Sequence, residues 1–182
     1  MASYVIGDTH GCFLTLRHLV EDVIGFNKND SLYLLGDYID RGPLSANLLD
    51  YLIRLIEDGY QVIPLRGNHE QMLLEAMHKP SEYFLWMQNM GNSTIASYKK
   101  LYGDKFSFPN DIPKIHYSFL NNLAYFEKIN KKYLLVHGGI NYHDPNPFAN
   151  TKALLWNRPV EVPDSFIYNY SWSYPYSAKQ NY

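Results

Sequence analysis

The chain has 182 residues, a formal charge of −2 and an isoelectric point of about 6.4: enough for one domain with a sizeable core, without the basic surface a nucleic-acid partner needs. Its one cysteine, Cys12, excludes an intramolecular disulfide and suits a reducing compartment, where it reads as a small buried hydrophobe. The N-terminus lacks a leader-like charge and apolar pattern, and no apolar run approaches the roughly 18 residues of a membrane span, so a soluble cytoplasmic protein with no membrane partner is expected.

Tyr4-Val5-Ile6 reads as a short strand ending in Gly7-Asp8-Thr9-His10-Gly11. Leu14, Leu16, Leu19, Val20 and Ile24 then recur mostly at helical spacing, which predicts a helix from Phe13 to about Ile24. A second strand, Leu32 to Leu35, runs into Gly36-Asp37-Tyr38-Ile39-Asp40-Arg41-Gly42, and a helix over Leu44 to Ile56 stops at Gly59. The third strand, Gln61 to Leu65, ends in Arg66-Gly67-Asn68-His69-Glu70. Strands alternating with helices predict parallel pairing with right-handed crossovers. In such sheets ligands bind beyond the carboxyl ends of the strands, the edge where all three charged clusters fall.

Helices are predicted next from Glu70 to His78, up to Gly91, from an N-cap at Ser93 through to Gly103, and briefly before Asn121-Asn122. Tyr125 to Ile129 and Tyr133 to Val136 flank the polar Asn130-Lys131-Lys132 and predict a β-hairpin that runs into His137-Gly138-Gly139. Leu154-Leu155-Trp156-Asn157-Arg158 follows a Pro/Asn-rich loop. Residues 159–182 are aromatic with little periodicity, an atypical end to a single domain over 1–182.

Asp8, His10, Asp37, Asn68 and His137 each lie at or just beyond a predicted strand, so one rim can gather them. Two carboxylates, two imidazoles and an amide carbonyl suit Mn²⁺, Fe²⁺ or Zn²⁺, and the lack of a thiolate argues against a structural zinc site. A carboxylate shared by two cations holds them roughly 3.5–4 Å apart, an arrangement used for phosphoryl hydrolysis. Taken singly, each residue has a plainer reading. Asp8 can cap the helix after Gly11, Asp37 or Asp40 can cap the helix after Gly42, and His69 and His137 can be satisfied polar residues at strand ends. Five together at one rim favour the metal reading.

Gly7-Asp8-Thr9-His10-Gly11, Gly36-Asp37-Tyr38-Ile39-Asp40-Arg41-Gly42, Gly67-Asn68-His69-Glu70 and His137-Gly138-Gly139 resemble the signature blocks of the calcineurin-like metallophosphoesterases. Within that family they resemble the phosphoprotein phosphatase branch, which holds bacterial and phage Ser/Thr phosphatases and symmetrical dinucleoside tetraphosphatases. The likeness covers about residues 3–158. It implies an α/β fold, a β-sandwich flanked by helices, and the segment Phe166 to Trp172 departs from the closing strands expected there, so the C-terminal strands are expected to be incomplete. It also implies two divalent metal ions, Mn²⁺ first and Fe or Zn as the other fits. Asp8 and His10 would bind the first, Asp37 would bridge, and Asn68 and His137 would hold the second. A hydroxide between the metals would attack phosphorus in line, and His69, oriented by Asp40, would protonate the leaving group. Arg41, Arg66 and Arg158 would bind substrate phosphate. His18, His78, His116 and His143 match no motif position and are expected on the surface or in loops. One departure stands out: the family supplies a further metal-binding histidine after Leu-Trp-Asn-Arg, and no histidine follows His143 here. Spacing gives no support to Asp144 or Asp164 as its replacement.

The activity so implied is a metal-dependent phosphatase acting on phosphomonoesters, with phosphoserine or phosphothreonine protein as substrate partner. The segment Gly91-Asn92-Ser93-Thr94-Ile95-Ala96-Ser97-Tyr98 leans the same way. The alternatives are a symmetrical dinucleoside tetraphosphatase and a phosphate-binding module whose second metal site is weakened by the missing histidine.

Overall fold

The structure, a computed structural model, describes residues 1–130 and 132–158. Strands β1 (Ser3–Ile6), β2 (Ser31–Leu34) and β3 (Gln61–Pro64) pair in that order and all in parallel, with Tyr4 opposite Leu32 and Leu32 opposite Val62. Successive side chains alternate between the two faces of a strand. Leu32 and Leu34 are accordingly fully buried, while Tyr33 between them is only half-buried.

Helix α1 (Phe13–His18) continues without a break as a wider π turn over Leu19–Val23, one residue short of the predicted end. Leu16 and Val20 face the core from it. Cys12, expected to be buried, is exposed: it stands at the start of α1 on the loop side, and Leu16 and Val20 take the core face. Helix α2 (Ser45–Glu57) lays Leu48, Leu49 and Leu52, all fully buried, against the same core. Each such leucine stabilises the fold by about 1.5–3 kcal/mol relative to exposure.

Helices α3 (Asn68–Ala76), α4 (Pro80–Gln88), α5 (Gly91–Tyr102) and α6 (Lys114–Asn121) fill the connection from β3 to the hairpin of β4 (Phe126–Ile129) and β5 (Tyr133–Val136). Ser93 is not the cap of α5. The helix starts earlier, after a left-handed Met90 (φ 72°), and the Ser93 hydroxyl donates back to the Met90 carbonyl at 2.9 Å. Gly91 lies so close under the Trp86 ring that a Cβ would sit 2.5 Å from it, which fixes where the chain turns. His116 is not a surface residue either. It is fully buried, bonded through Nδ1 to the Tyr98 hydroxyl and through Nε2 to Asp50, both at 2.8 Å, so it joins α6 to α5 and α2.

The hairpin is joined to the end of β3: Ala124 bridges Leu65 in parallel, and its carbonyl accepts the Arg66 N–H at 2.7 Å. A last helix, α7 (Thr151–Trp156), is capped by Asn150 and tied to the strand β5 exit by Gly138 N–H donating to the Leu154 carbonyl at 2.7 Å. Ile140 and Leu154 centre a second small core with Phe126, Leu134 and Phe148. Residues 159–182, with their atypical composition, lie outside the described residues. No helix among the described residues is long and apolar enough to cross a membrane.

Candidate metal centre

All three parallel strands end at one edge, and the loops leaving them are laced together by backbone. Thr9 and His10 N–H both donate to the Asp37 carbonyl (3.1 and 2.8 Å), and Gly11 N–H donates to that of Tyr38 (2.7 Å). His10, Asp37, Asp40 and Arg41 all hold left-handed φ angles, from 38° to 68°. Each such angle costs a non-glycine residue roughly 1–2 kcal/mol, so the surrounding contacts must hold these loops in place. Gly67 permits a close approach, because a Cβ there would collide with the Asp37 carboxylate.

Glu70 ties the second and third loops into one body. Its carboxylate has no solvent contact and accepts the N–H groups of Asp37 (2.8 Å), Tyr38 (2.7 Å) and Gly67 (2.8 Å). Burial and the neighbouring Asp37 charge push its carboxyl pKa up to about 7, against these donors, which hold it down. Glu70 closes the third motif, where the sequence alone assigns it no role. Its signal was a Glu at the third helical position after Gly67, where a side chain reaches back to free N–H groups.

Two imidazoles are locked by backbone carbonyls. His10 Nδ1 lies 2.8 Å from the Ile39 carbonyl and His137 Nδ1 lies 2.9 Å from that of Leu35. A carbonyl only accepts, so each Nδ1 carries a proton, and each ring turns its Nε2 inward. His137 Nε2 faces the Asn68 oxygen at 2.8 Å and Asp37 Oδ1 at 3.5 Å. His10 Nε2 faces Asp37 Oδ2 at 3.5 Å and Asp8 Oδ2 at 3.9 Å. Ring nitrogens and side-chain oxygens therefore converge on one another, an arrangement that suits a cation among them. At His10 the Arg41 guanidinium, itself a cation, donates to the same nitrogen at 2.8 Å.

The donor set fits two divalent cations with Asp37 common to both. His10, Asp37 and His69 form one group and Asp8, Asp37 and His137 another, the ligand atoms of each lying within 4.8 Å of one another. Asp8, half-exposed, groups with His137, although its other oxygen also reaches toward His10. Capping does not explain these carboxylates. Cys12 and Leu44 stand at the helix starts after Gly11 and Gly42, and neither helix has a side-chain cap.

His69 sits in the first turn of α3 rather than at a strand end. Its Nδ1 is 2.7 Å from Asp40 Oδ2, and both residues are buried. Burial lowers the affinity of His69 for a second proton, but the Asp40 hydrogen bond and the charges of Asp37, Asp40 and Glu70 outweigh it and raise its pKa. Asp40 also accepts Trp86 Nε1–H (2.8 Å) and the Thr94 hydroxyl (2.6 Å), partners that sequence reasoning missed.

The three arginines part company. Arg41 is exposed at the rim and spans His10 and His69, with Nη2 at 3.4 Å from His69 Nε2. Arg66 is spent inside the fold: Nη1 donates to Gln71 (2.9 Å) and Tyr125 (3.0 Å), and Nη2 to the carbonyls of Leu120 (3.0 Å) and Asn121 (2.7 Å) at the end of α6. Both terminal nitrogens are thus engaged at the end of α6, while the buried Nε has no partner among the described residues. Arg158 is exposed and donates to the adjacent Asn157 carbonyl at 3.0 Å, with no bond to the cluster. Asp144 is engaged in its own loop by Asn146 and Asn150, and Asp164 lies outside the described residues.

The family model described as calcineurin-like phosphoesterase matches residues 1–182. A symmetrical bis(5'-nucleosyl)-tetraphosphatase of Paracidovorax citrulli is 43% identical over 84 residues, 44% of this chain and 29% of the relative. Serine/threonine-protein phosphatase 1 of Salmonella typhimurium is 38% identical over 89 residues, 49% of this chain and 38% of the relative. The chain thus covers well under two thirds of these relatives. Among solved structures, a Ser/Thr protein phosphatase from Saccharomyces cerevisiae superposes with a TM-score of 0.63 over 94% of this chain and 62% of that one, and at 20% identity the likeness concerns the fold. With the family match running the length of a chain whose strand-end loops converge on a shared carboxylate, the protein belongs to the calcineurin-like phosphoesterases.

Proposed function

We propose that this chain is a metal-dependent phosphohydrolase that cleaves dinucleoside polyphosphates, with phosphoserine and phosphothreonine proteins as the second substrate class. The observation that carries the hydrolytic reading is the Asp37 carboxylate, which turns one oxygen toward each of two imidazoles locked by backbone carbonyls. Two divalent cations, Mn²⁺ first among the candidates, would supply Lewis acidity and lower the pKa of a water toward neutrality. Asp8, His10, Asp37, Asn68 and His137 would hold them, and His69, although its ring also lies within ligand distance of Asp37 and His10, is kept for proton delivery by its bond to Asp40. His69, oriented by Asp40 through Nδ1, delivers a proton from Nε2 to the departing oxygen. Arg41, exposed beside both histidines, is placed to grip a phosphate oxygen pair with its planar fork.

Relatives named for symmetrical tetraphosphatase activity recur at 40–48% identity in seven proteins, which favours the dinucleotide class. The Salmonella relative and the His69–Asp40 pair favour the second class, because a departing serine alkoxide needs a proton far more than a departing nucleoside diphosphate does. The test compares the Mn²⁺-loaded chain on diadenosine tetraphosphate, a phosphothreonyl peptide and an aryl phosphate. Diadenosine tetraphosphate is expected to turn over fastest and to yield ADP as sole product. Faster hydrolysis of the peptide would exchange the two classes. Metal binding with no hydrolysis of any of the three would leave a phosphate-binding module.

A further inference from the structure

Helices α4 and α5 contribute no residue to either candidate ligand group, yet each sends one polar group to Asp40. We propose that Trp86 and Thr94 are positioning residues for proton delivery by His69: together they fix the plane of the buried Asp40 carboxylate so that Oδ2 faces His69 Nδ1. The inference rests on the hydrolytic reading above.

The geometry is specific. Asp40 Oδ2 receives His69 Nδ1–H at 2.7 Å and Trp86 Nε1–H at 2.8 Å, while Oδ1 receives the Thr94 hydroxyl at 2.6 Å. The terminal torsion of an aspartate is soft, so a carboxylate held at one oxygen alone swings readily. Anchors on both oxygens remove that freedom. The Thr94 oxygen also accepts the Asp40 N–H at 2.8 Å, which holds a backbone at φ 68°, an angle an aspartate does not favour by itself. Ser45 Oγ, 3.2 Å from the Thr94 oxygen, joins α2 to the same network. Asp40, Trp86, Thr94 and Ser45 have no solvent exposure, so water cannot replace a lost donor.

Packing alone does not account for this. A phenylalanine would fill the position of Trp86 against Phe108, whose ring centroid lies 4.9 Å away, without carrying the N–H. A valine would match the shape of Thr94 without its hydroxyl. Those two changes isolate the hydrogen bonds from the core.

The experiment places Trp86→Phe and Thr94→Val each in the wild-type and the His69→Asn background, with bound Zn²⁺ measured for every protein. Turnover is read on phenyl phosphate, whose leaving group is basic, and on p-nitrophenyl phosphate, whose leaving group is not. In the wild-type background each change is expected to lower kcat on phenyl phosphate on the order of tenfold, to lower it far less on p-nitrophenyl phosphate, and to leave KM unchanged. In the His69→Asn background neither change has a further effect. A loss of equal size in that background, or an equal loss on both esters, overturns the proposal in favour of a merely structural role. A second readout needs no turnover. In the Zn²⁺-loaded protein the His69 Nδ1–H resonance, assigned by its disappearance in His69→Asn, lies far downfield, and it shifts or broadens in both variants. An unmoved resonance overturns the proposal. If the metal-loaded wild type hydrolyses neither these esters nor diadenosine tetraphosphate, the hydrolytic reading fails while the resonance still decides whether Trp86 and Thr94 place His69.

Discussion

Glu70 and Arg66 show how far a buried charged side chain can tie separate segments together. The Glu70 carboxylate gathers N–H groups from two loops, and a glutamine there has one acceptor oxygen and an amide that must face a donor. Glu70→Gln is expected to destabilise the fold by about 1–3 kcal/mol and to weaken metal binding with it, because Asp37 loses its tether. Urea unfolding and a metal titration on the same variant check this, and unchanged values in both would contradict the tether. Arg66 yields the opposite pattern. Arg66→Lys loses the fork that binds two carbonyls and two side chains at once, so its melting temperature falls. KM for substrate should stay where it is. A raised KM at unaltered stability would return Arg66 to the phosphate-binding set.

At the scale of elements, hydrophobic spacing carried most of the fold. The leucines of α2 and the short apolar strands were legible because periodicity reports directly on which face is buried. The start of α5 was not, because it is set by tertiary contact: the chain turns where Gly91 slides beneath the Trp86 ring. Ser93 has the residue type of a cap and stands inside the first turn instead. Gly91→Ala would put a methyl into that ring, an overpacking expected to cost about 1–3 kcal/mol. It should also tilt Trp86 away from Asp40, so activity falls further than the stability loss alone explains. Thermal melts paired with turnover on phenyl phosphate decide this, and an alanine variant as stable and active as wild type would contradict the contact.

Across the whole molecule, the site was legible where it is local and hidden where it is assembled. Parallel strands bring their exits to one edge by topology, so Asp8, Asp37 and Asn68 could be placed together from the order of elements. Trp86 and Thr94 lie 46 and 54 positions from Asp40, and no spacing rule links them to it. His116 was misplaced and the partners of Arg66 stayed hidden for a related reason, since a buried histidine or arginine is recognised by its partners, which come from other helices. Everything proposed about catalysis depends on Asp37 serving two cations. The direct measurement is the number of Mn²⁺ ions bound per chain at equilibrium, in the wild type and in Asp37→Asn. Two ions in the wild type, and the loss of both in the variant, are expected, because the shared anion offsets both charges. A variant that keeps both ions, or a wild type that binds none, would contradict the shared-carboxylate centre.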